Sequence, residues 1–290
     1  MKALILGAGG QDGFYLTQLC KARKIEPICV SRYENHLHAN IADFEQVDHL
    51  VATYLPDIAF HLAARSTTSH EALFENHETI STGTVNLLEA IKRRAPKSKV
   101  FITGSGVQFV NRGNPISERD EFEANSPYSV ARIHSVFAAR YYRSLGMKVY
   151  VGYLFHHESP KRKPNHVSQQ IVNAAKRITA GSTEKLELGD ITVEKEWTFA
   201  GDIVKGILTL VQQDEVFEAT VGSGIAYSIK DWLVQCFGTI GKNWQDFVQI
   251  RKDFVPEYRK LVSNPSTINS LGWKAETSLA SLAKLMMSAG

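Results

Sequence analysis

The chain has 290 residues, and 33 basic against 30 acidic side chains leave a formal net charge of +3. A composition of 43% hydrophobic and 22% charged residues is typical of globular proteins. So small a net charge argues against nucleic acid as the main partner, and no apolar stretch has the length of a membrane span. The three cysteines form no paired motif and the N-terminal region has no signal-peptide pattern, so we expect a cytoplasmic globular protein.

The first elements in chain order are a strand, a glycine turn, a helix and a second strand. Residues 3–6 form a short apolar run that ends in a glycine-rich stretch over residues 7–13. A helical pattern of apolar side chains follows from Tyr15, and residues 27–30 form a second apolar run. This order predicts a βαβ unit at the start of the chain.

Strand and helix patterns then continue to alternate. The later segments are a strand over residues 57–62, a helix over 84–92, a strand over 99–103, a helix over 130–145 and a strand over 147–152. Such alternation predicts a parallel sheet with helices on both faces. The alternation of strand and helix patterns ends near residue 155. Residues 156–166 are polar and basic and contain two prolines, so they predict a loop.

The glycine stretch has the spacing of a dinucleotide-binding loop. Gly7 permits a tight turn, Gly10 lets backbone N–H groups approach a pyrophosphate, and Gly13 allows close packing of helix on strand. The N-terminus of the following helix favours phosphate groups. The fold class that follows is α/β: a Rossmann-type doubly wound parallel sheet over residues 1–155, and a smaller α/β substrate lobe over residues 156–290 that is interleaved with the last sheet strands.

The end of the second strand bears on the choice of cofactor. An acidic residue there would favour NAD, but the strand runs into Val30, Ser31 and Arg32. Arg32 can hold a 2′-phosphate through a bidentate contact, which favours NADP over NAD. The alternative is that Arg32 is an ordinary solvated arginine.

Tyr128 and Arg132 are spaced four residues apart behind Pro127. A helix that starts near the proline would put both side chains on one face. A free tyrosine hydroxyl ionises near pH 10, so a tyrosine that serves as a base near neutral pH needs a nearby cation. We therefore interpret Tyr128 as a catalytic base and Arg132 as its cation.

With these motifs in place, the chain resembles the extended short-chain dehydrogenase/reductases, in the NAD-dependent epimerase/dehydratase family, and most of all the GDP-mannose 4,6-dehydratases. The resemblance runs over nearly the whole length. It rests on the sequence at residues 7–13, 56–57, 61–66, 126–131, 154–162, 195–197, 200–202, 264–265 and 271–274.

The resemblance implies a reaction. In that family a tyrosine deprotonates the 4-hydroxyl of a nucleotide sugar while hydride leaves C4 for NADP, a glutamate removes the C5 proton, and water leaves from C6. The hydride then returns to C6, so the cofactor is recycled. It also implies a homodimer or homotetramer, and a set of ligand contacts. The implied cofactor contacts are Gly7, Gly10, Gln11, Asp12, Gly13, Arg32, Asn40, Ile41, Leu62, Ala63, Ala64, Ser66, Tyr128, Arg132, His157 and Arg162. The implied substrate contacts are His156, Val167, Lys195 and Glu257.

Several catalytic positions depart from the family pattern. Arg132 stands where the family has lysine, and without a gap Gln108 replaces the glutamate that acts on C5. An amide is no general base near neutral pH. In the same alignment Gly106 offers no hydroxyl, whereas a shift of one residue would make Ser105 the donor. Three glutamates follow in the segment before Tyr128: Glu118, Glu121 and Glu123.

The substrate side departs as well. The family's asparagine is His156 here, and an arginine of the family is Lys195, which meets a diphosphate without the fork geometry. Three functions therefore stay open: an NADP-dependent nucleotide-sugar dehydratase (a lyase), a nucleotide-sugar 4-keto reductase or epimerase, and a dinucleotide-binding protein with little catalysis. The ten histidines show no metal-site spacing, so we expect no metal.

Overall fold

The computed structural model describes residues 1–32, 35–251 and 253–289. Its α-helices are α1 (Gln11–Ala22), α2 (Phe44–Tyr54), α3 (Leu73–Asn76), α4 (Gly83–Arg94), α5 (Pro127–Ser144), α6 (Val167–Thr179), α7 (Ala200–Val211), α8 (Ile229–Gly238), α9 (Ser266–Ser270) and α10 (Leu279–Ser288). Its strands are β1 (Lys2–Leu6), β2 (Glu26–Val30), β3 (Ile58–His61), β4 (Lys99–Ser105), β5 (Lys148–Leu154), β6 (His157–Glu158), β7 (Leu186–Leu188), β8 (Glu194–Glu196), β9 (Thr198–Phe199), β10 (Glu218–Val221), β11 (Ala226–Ser228), β12 (Val248–Ile250) and β13 (Lys260–Leu261).

Six parallel strands form the central sheet in the order β10-β5-β4-β3-β1-β2. The chain leaves β1 towards β2 on one side and returns to β3 on the other, so the strand order reverses between β1 and β3. In open α/β sheets the ligand crevice lies outside the carboxyl ends of the strands at such a reversal. Beyond β2, the described residues add a parallel bridge between Val30 and Leu37.

Helices cover both faces of this sheet, as the alternating pattern predicts. One apolar core lies between the sheet and the helices α2, α4 and α5, and includes Leu4, Leu88 and Val136. The opposite core holds α1 and α7 against the sheet through Leu16 and Ile207. Strands buried on both faces read as near-continuous apolar runs, which explains why they are visible in the sequence.

A third core lies in the part of the chain that follows β5. Helices α6, α8 and α10 pack together there, beside the three-stranded sheet β11-β8-β13. Trp232 is fully buried and stacks on Trp197 at 4.8 Å between ring centroids. The same part of the chain also returns β10 and α7 to the central sheet.

Some elements differ from the sequence expectation. The segment predicted as a loop over residues 156–166 contains the short strand β6, which pairs with β9. Helix α2 was not predicted; Asp43 caps it by accepting a hydrogen bond from the Gln46 N–H. Along the described ranges, no helix has the length and apolarity needed to cross a membrane.

Candidate active site

The glycine loop joins the carboxyl end of β1 to α1. Gly7 has a φ of +93°, and a Cβ there would lie 2.6 Å from the Ala63 nitrogen, so only glycine fits. A Cβ at Gly13 would lie 2.4 Å from the Gly7 oxygen. These contacts hold α1 close to β1 and to the segment after β3.

Gly10 differs from its two neighbours in the motif. A Cβ at this position would meet only the Gly7 oxygen, at 3.4 Å, so the outer side of the loop is open. Gly10 is also the N-cap residue of α1 and provides no side-chain cap. A helix start without a side-chain cap beside an open loop is the arrangement that binds phosphate groups.

Arg32 follows β2 and is 82% exposed. Its Nη2 lies 3.1 Å from Glu75, and Arg65 approaches the same carboxylate at 2.7 Å. Two arginines thus share one carboxylate at the carboxyl edge of the sheet, which leaves an excess positive charge there. Nearby, Asn40 Oδ1 accepts a hydrogen bond from the Ala42 N–H in the turn before α2.

The segment after β3 runs along the glycine loop. The Leu62 N–H donates to the Leu6 carbonyl, and the Ala63 backbone packs against Gly7. Ala64 is half-buried and Ser66 is exposed. Ile41, shortly before α2, is half-buried, and its carbonyl accepts a hydrogen bond from Asn86.

Tyr128 lies in the first turn of α5. The helix begins at Pro127, and Ser126 caps it by accepting a hydrogen bond from the Ser129 N–H at 3.1 Å. Arg132 follows one turn later with 3% exposure; its Cζ lies 5.0 Å from the centroid of the Tyr128 ring. Its Nη1 donates to the Thr103 carbonyl of β4 at 2.6 Å. The structure thus brings the predicted pair together at the carboxyl edge of the sheet.

Ser105 and Gln108 belong to a short 3₁₀ turn at the end of β4. The Gln108 side chain has no exposed surface and turns back, so that its Oε1 accepts from the Ser105 N–H at 2.8 Å. Ser105 itself is half-buried. A Cβ at Gly106 would lie 2.8 Å from the Phe155 ring, so close packing against that ring requires glycine here. Gln108 thus acts as a local cap for this turn.

The acidic residues before α5 separate into different environments. Glu118 accepts hydrogen bonds from Thr267 Oγ1 at 2.5 Å and from the Thr220 N–H at 3.4 Å, which ties it to the later part of the chain. The Glu123 N–H donates to the Gln108 carbonyl at 2.8 Å. Glu123 is exposed and lines an open cleft.

This cleft has a volume of about 660 Å³. It lies between the segment before α5 and the segment before β13. Glu257 lies in its wall and accepts a hydrogen bond from Thr68 Oγ1 at 2.5 Å. Its lining residues are Thr68, Val107, Phe109, Asn111, Arg112, Gly113, Glu123, Asn125, Ser126, Glu257, Tyr258, Arg259 and Lys260. Apart from Glu257, the sequence reasoning names none of them as ligand contacts, because they come from four distant stretches.

His157 contacts the glycine loop directly. Its Nε2 lies 2.8 Å from Asp12 Oδ1, and its Nδ1 lies 2.6 Å from the Phe155 carbonyl. Gln11 reaches the same segment, where its Nε2 donates to the His157 carbonyl at 3.3 Å. Burial disfavours the imidazolium, but the carboxylate of Asp12 outweighs it and raises the pKa of His157.

Glu158 is buried at the centre of a cationic group. Arg162 Nε lies 3.4 Å from it and Lys195 Nζ 3.9 Å, and Ser168 Oγ donates to it at 2.6 Å. Burial opposes ionisation of Glu158, yet the two cations hold its pKa below the usual value. Burial lowers the pKa of Lys195, against the opposing effect of Glu158. Val167 begins helix α6 beside this group.

His156 lies between this group and the cleft. Its Nε2 is 3.1 Å from the Tyr258 hydroxyl. Burial, together with the charges of Lys195 and Arg162, holds the pKa of His156 well below the usual value. The predicted substrate residues therefore form one continuous region from α6 to the cleft that contains Glu257.

Comparison with known proteins identifies similar chains. The family model described as GDP-mannose 4,6 dehydratase matches residues 4–286. GDP-mannose 4,6 dehydratase 2 of Arabidopsis thaliana is 30% identical over 318 aligned residues, which cover 98% of this chain and 85% of that protein. GDP-mannose 4,6-dehydratase of Vibrio cholerae is 27% identical, with 80% of this chain and 70% of that protein covered.

Solved structures share the fold. The structure of RMD from Pseudomonas aeruginosa with NADPH superposes with a TM-score of 0.85 at 21% identity and covers 99% of this chain and 96% of that chain. The dTDP-glucose 4,6-dehydratase of Bacillus anthracis with NAD gives a TM-score of 0.85 at 18% identity, with 99% and 95% covered. These similarities confirm the Rossmann-type α/β fold that the sequence predicts.

Proposed function

The chain belongs to the GDP-mannose 4,6 dehydratase family, and we propose that it is an NADP-dependent enzyme that oxidises a nucleotide-linked sugar at C4. The observation that carries the proposal is the pair on α5. A buried arginine, Arg132, holds its guanidinium 5.0 Å from the ring of Tyr128 at the edge where the parallel strands end. The pair places a phenol and a fixed positive charge together at this edge, an arrangement that suits abstraction of a hydroxyl proton.

The chain's own residues take distinct roles in this proposal. Tyr128 removes the proton of the 4-hydroxyl, and Ser105 orients that hydroxyl by a hydrogen bond. Arg132 stabilises the phenolate, and its bond to the Thr103 carbonyl fixes it in place. When bound, NADP supplies the hydride acceptor at C4.

The residues present fit such a cofactor. Gly10 leaves the start of α1 open, while Gly7 and Gly13 hold the loop in place. The buried Arg132 Nε has no hydrogen-bond partner among the described residues, so a donor is left for the cofactor ribose. The residues that would hold the cofactor are those that the resemblance implies: Gly7, Gly10, Gln11, Asp12, Gly13, Arg32, Asn40, Ile41, Leu62, Ala63, Ala64, Ser66, Tyr128, Arg132, His157 and Arg162.

NADP is preferred to NAD because of the charge beyond β2. Arg32 and Arg65 share the single carboxylate of Glu75, and the remaining positive charge suits a 2′-phosphate. Of the two similar structures above, RMD was solved with NADPH and the dTDP-glucose dehydratase with NAD. Titration of both dinucleotides into the protein tests the preference, which requires the tighter binding of NADP.

The proposed substrate is a sugar linked to a nucleoside diphosphate. Lys195 and Arg162, beside the start of α6 at Val167, provide positive charge for a diphosphate. His156 and Glu257 extend this region to the cleft, where the nucleoside or sugar would lie. Residues 1–155 would then serve the cofactor, and residues 156–290 chiefly the substrate.

Elimination of water needs a base for the C5 proton, and Gln108 offers none. Its amide is buried and already bonded to the backbone of Ser105. In the segment before α5, Glu123 is the carboxylate that lines the cleft, so it is the candidate base for a dehydratase. The inward Gln108 also favours a second function, a 4-keto reductase or epimerase, which needs Tyr128 but no C5 base.

The test is incubation with GDP-mannose and related nucleotide sugars at catalytic NADP. A 4-keto-6-deoxy product without net change in nicotinamide absorbance supports the dehydratase. In a separate incubation with a 4-keto nucleotide sugar, stoichiometric consumption of NADPH supports the reductase. Tyr128→Phe should abolish either activity. Glu123→Gln should abolish only dehydration, and Glu121→Gln serves as the matched control. Binding of NADP without turnover on the whole panel would contradict both functions and favour a binding protein.

Assembly and location are further proposals. Helix α5 exposes Val130, Phe137 and Tyr141 on one face, at 48%, 57% and 60% exposure, which supports a homodimer. Size-exclusion chromatography with light scattering tests this, because a monomer at micromolar concentration would contradict it. The free cysteines Cys20, Cys29 and Cys236 suit the reducing cytoplasm.

A further inference from the structure

Two consecutive side chains at the start of α1 reach the segment that follows β5. Asp12 Oδ1 lies 2.8 Å from His157 Nε2. Gln11 Nε2 donates to the His157 carbonyl at 3.3 Å, and Gln11 Oε1 accepts from Ser159 Oγ at 2.7 Å. These three bonds connect residues that are about 145 positions apart in the sequence. The glycine loop is therefore bonded directly to the segment over residues 157–159.

The hydrogen bonds define the charge state of this contact. The Phe155 carbonyl can only accept, so His157 Nδ1 carries a proton and donates to it at 2.6 Å. The carboxylate of Asp12 also accepts, so Nε2 carries the second proton. The contact is an imidazolium–carboxylate pair, in which His157 is 11% and Asp12 21% exposed. Burial opposes both charges, yet the pairing raises the pKa of His157 and lowers that of Asp12.

The neighbours of His157 in the sequence hold the proposed substrate region. Glu158 follows it and binds Ser168 Oγ in the first turn of α6, beside Lys195. His156 precedes it and contacts the Tyr258 hydroxyl in the wall of the cleft. A displacement of His157 would therefore move groups at both ends of that region.

The charges at the glycine loop link the Asp12–His157 ion pair to dinucleotide binding. Asp12 lies in the first turn of α1, at the helix N-terminus that attracts phosphate groups. An unpaired carboxylate there would repel a pyrophosphate, and the imidazolium of His157 cancels that charge. With phosphates bound, separation of the pair would leave the Asp12 carboxylate facing them without its counter-charge, so the dinucleotide favours the paired state.

We propose that Asp12 and His157 are positioning residues that couple the two ligand sites: dinucleotide binding strengthens their ion pair, orders residues 155–172, and so raises the affinity for the nucleotide sugar. The identity of the two ligands rests on the proposed function. Because coupling between two sites is reciprocal, the nucleotide sugar should also tighten dinucleotide binding by the same factor.

The test combines hydrogen exchange with titration calorimetry. In the wild-type protein, NADP should slow amide exchange in peptides over residues 155–172 and should tighten nucleotide-sugar binding by about 5-fold or more, the usual range of such coupling. In both Asp12→Asn and His157→Gln these effects should vanish. Glu276→Gln, which removes a carboxylate from an exposed ion pair with Lys205, is the control that should keep them.

The measured affinity for NADP distinguishes a positioning role of Asp12 and His157 from a general loss of structure in the variants. His157→Gln leaves the Asp12 carboxylate unpaired beside the phosphates and should weaken NADP binding. Asp12→Asn removes the repelling charge and should weaken NADP binding less than His157→Gln does. The double variant should recover part of the affinity that His157→Gln alone loses, whereas a purely structural role would make the double variant at least as weak as the weaker single variant.

The outcomes also separate this inference from the proposed function. Slower exchange over residues 155–172 that needs Asp12 and His157 supports the coupling, even if no nucleotide sugar is turned over and the proposed function fails. If NADP binds the wild type without affecting this segment, or if Asp12→Asn keeps the effect, the coupling is wrong. Failure of both NADP and NAD to bind would overturn both ideas.

Discussion

Replacement of Gly10 by alanine should separate cofactor binding from folding. The φ of Gly10 is −80°, which any residue adopts, and a Cβ there would meet only the Gly7 oxygen at 3.4 Å. The methyl group would instead point to the open side of the loop, where the pyrophosphate is proposed to lie. Gly10→Ala should therefore fold normally and lose affinity for NADP.

The expected size of the loss follows from the bonds at stake. Alanine at the N-cap costs a few tenths to about 1 kcal/mol relative to glycine, while loss of the glycine's freedom in the unfolded chain returns about as much, so the free energy of unfolding should change little. A hydrogen bond to a charged phosphate contributes about 1.5 to 3 kcal/mol. Loss of one such bond weakens binding by about 10- to 150-fold.

Thermal or chemical unfolding with and without NADP measures both quantities. At a ligand concentration of about 100 times the wild-type Kd, the wild type should gain about 2.7 kcal/mol, and a variant that binds about 100-fold more weakly should gain only about 0.4 kcal/mol. Gly13→Ala is the contrasting variant. Its Cβ would lie 2.4 Å from the Gly7 oxygen, so it should lose about 1 to 3 kcal/mol even without ligand. An unchanged NADP affinity in Gly10→Ala would refute the assignment of this loop.

Three further predictions concern the tyrosine pair and the stability of the fold. Arg132→Met should lower kcat by about 100-fold or more because Tyr128 loses its cation. Arg132→Lys keeps a cation and should retain most of the wild-type kcat, and steady-state kinetics distinguish the two variants. Burial opposes ionisation of Glu218, but hydrogen bonds from Arg140 and its neighbours hold the pKa of Glu218 at about 2. The ionised Glu218 therefore adds about 3 kcal/mol to the free energy of unfolding above pH 4.5, and this contribution is lost as the pH falls towards 2. Denaturant unfolding at several pH values should show that slope in the wild type and a shallower one in Glu218→Gln. Trp232→Ala should cost about 3 to 5 kcal/mol by leaving a cavity beside Trp197, as measured in denaturant, and a smaller loss would mean that the cavity collapses.

The parts of the fold that the sequence predicts are those with a local signal. The glycine loop, the buried parallel strands and the start of α5 at Pro127 each depend on a few adjacent residues with a fixed backbone requirement. Helix α2 was not predicted, although its buried residues Val47, Leu50 and Val51 have helical spacing and Asp43 is a favoured cap residue. The late return of β10 to the sheet is a long-range pairing that no local pattern encodes.

In the candidate site, too, contacts between residues close in the sequence can be predicted and contacts between distant residues cannot. Tyr128 and Arg132 lie one helical turn apart, so their proximity can be read from their spacing. By contrast, Glu123 and Tyr258 meet in one cleft although they are far apart in the chain. The inward turn of Gln108 depends on the backbone of the turn after β4, which sequence letters do not reveal.

The departures from the family pattern have different consequences on the two sides of the site. Arg132 preserves the charge of the family's lysine, so the cofactor side keeps its electrostatics. On the substrate side, the low pKa of His156 keeps it neutral, and Arg162 and Lys195 face the single carboxylate of Glu158. The net charge there is one positive unit, to which the N-terminus of α6 adds about half a unit. A diphosphate would therefore be held by point charges and a helix end rather than by an arginine fork at position 195. Within the proposed function, oxidation at C4 is accordingly the step for which these residues are best suited, and recognition of the nucleotide sugar is the property that the substrate-side departures affect most.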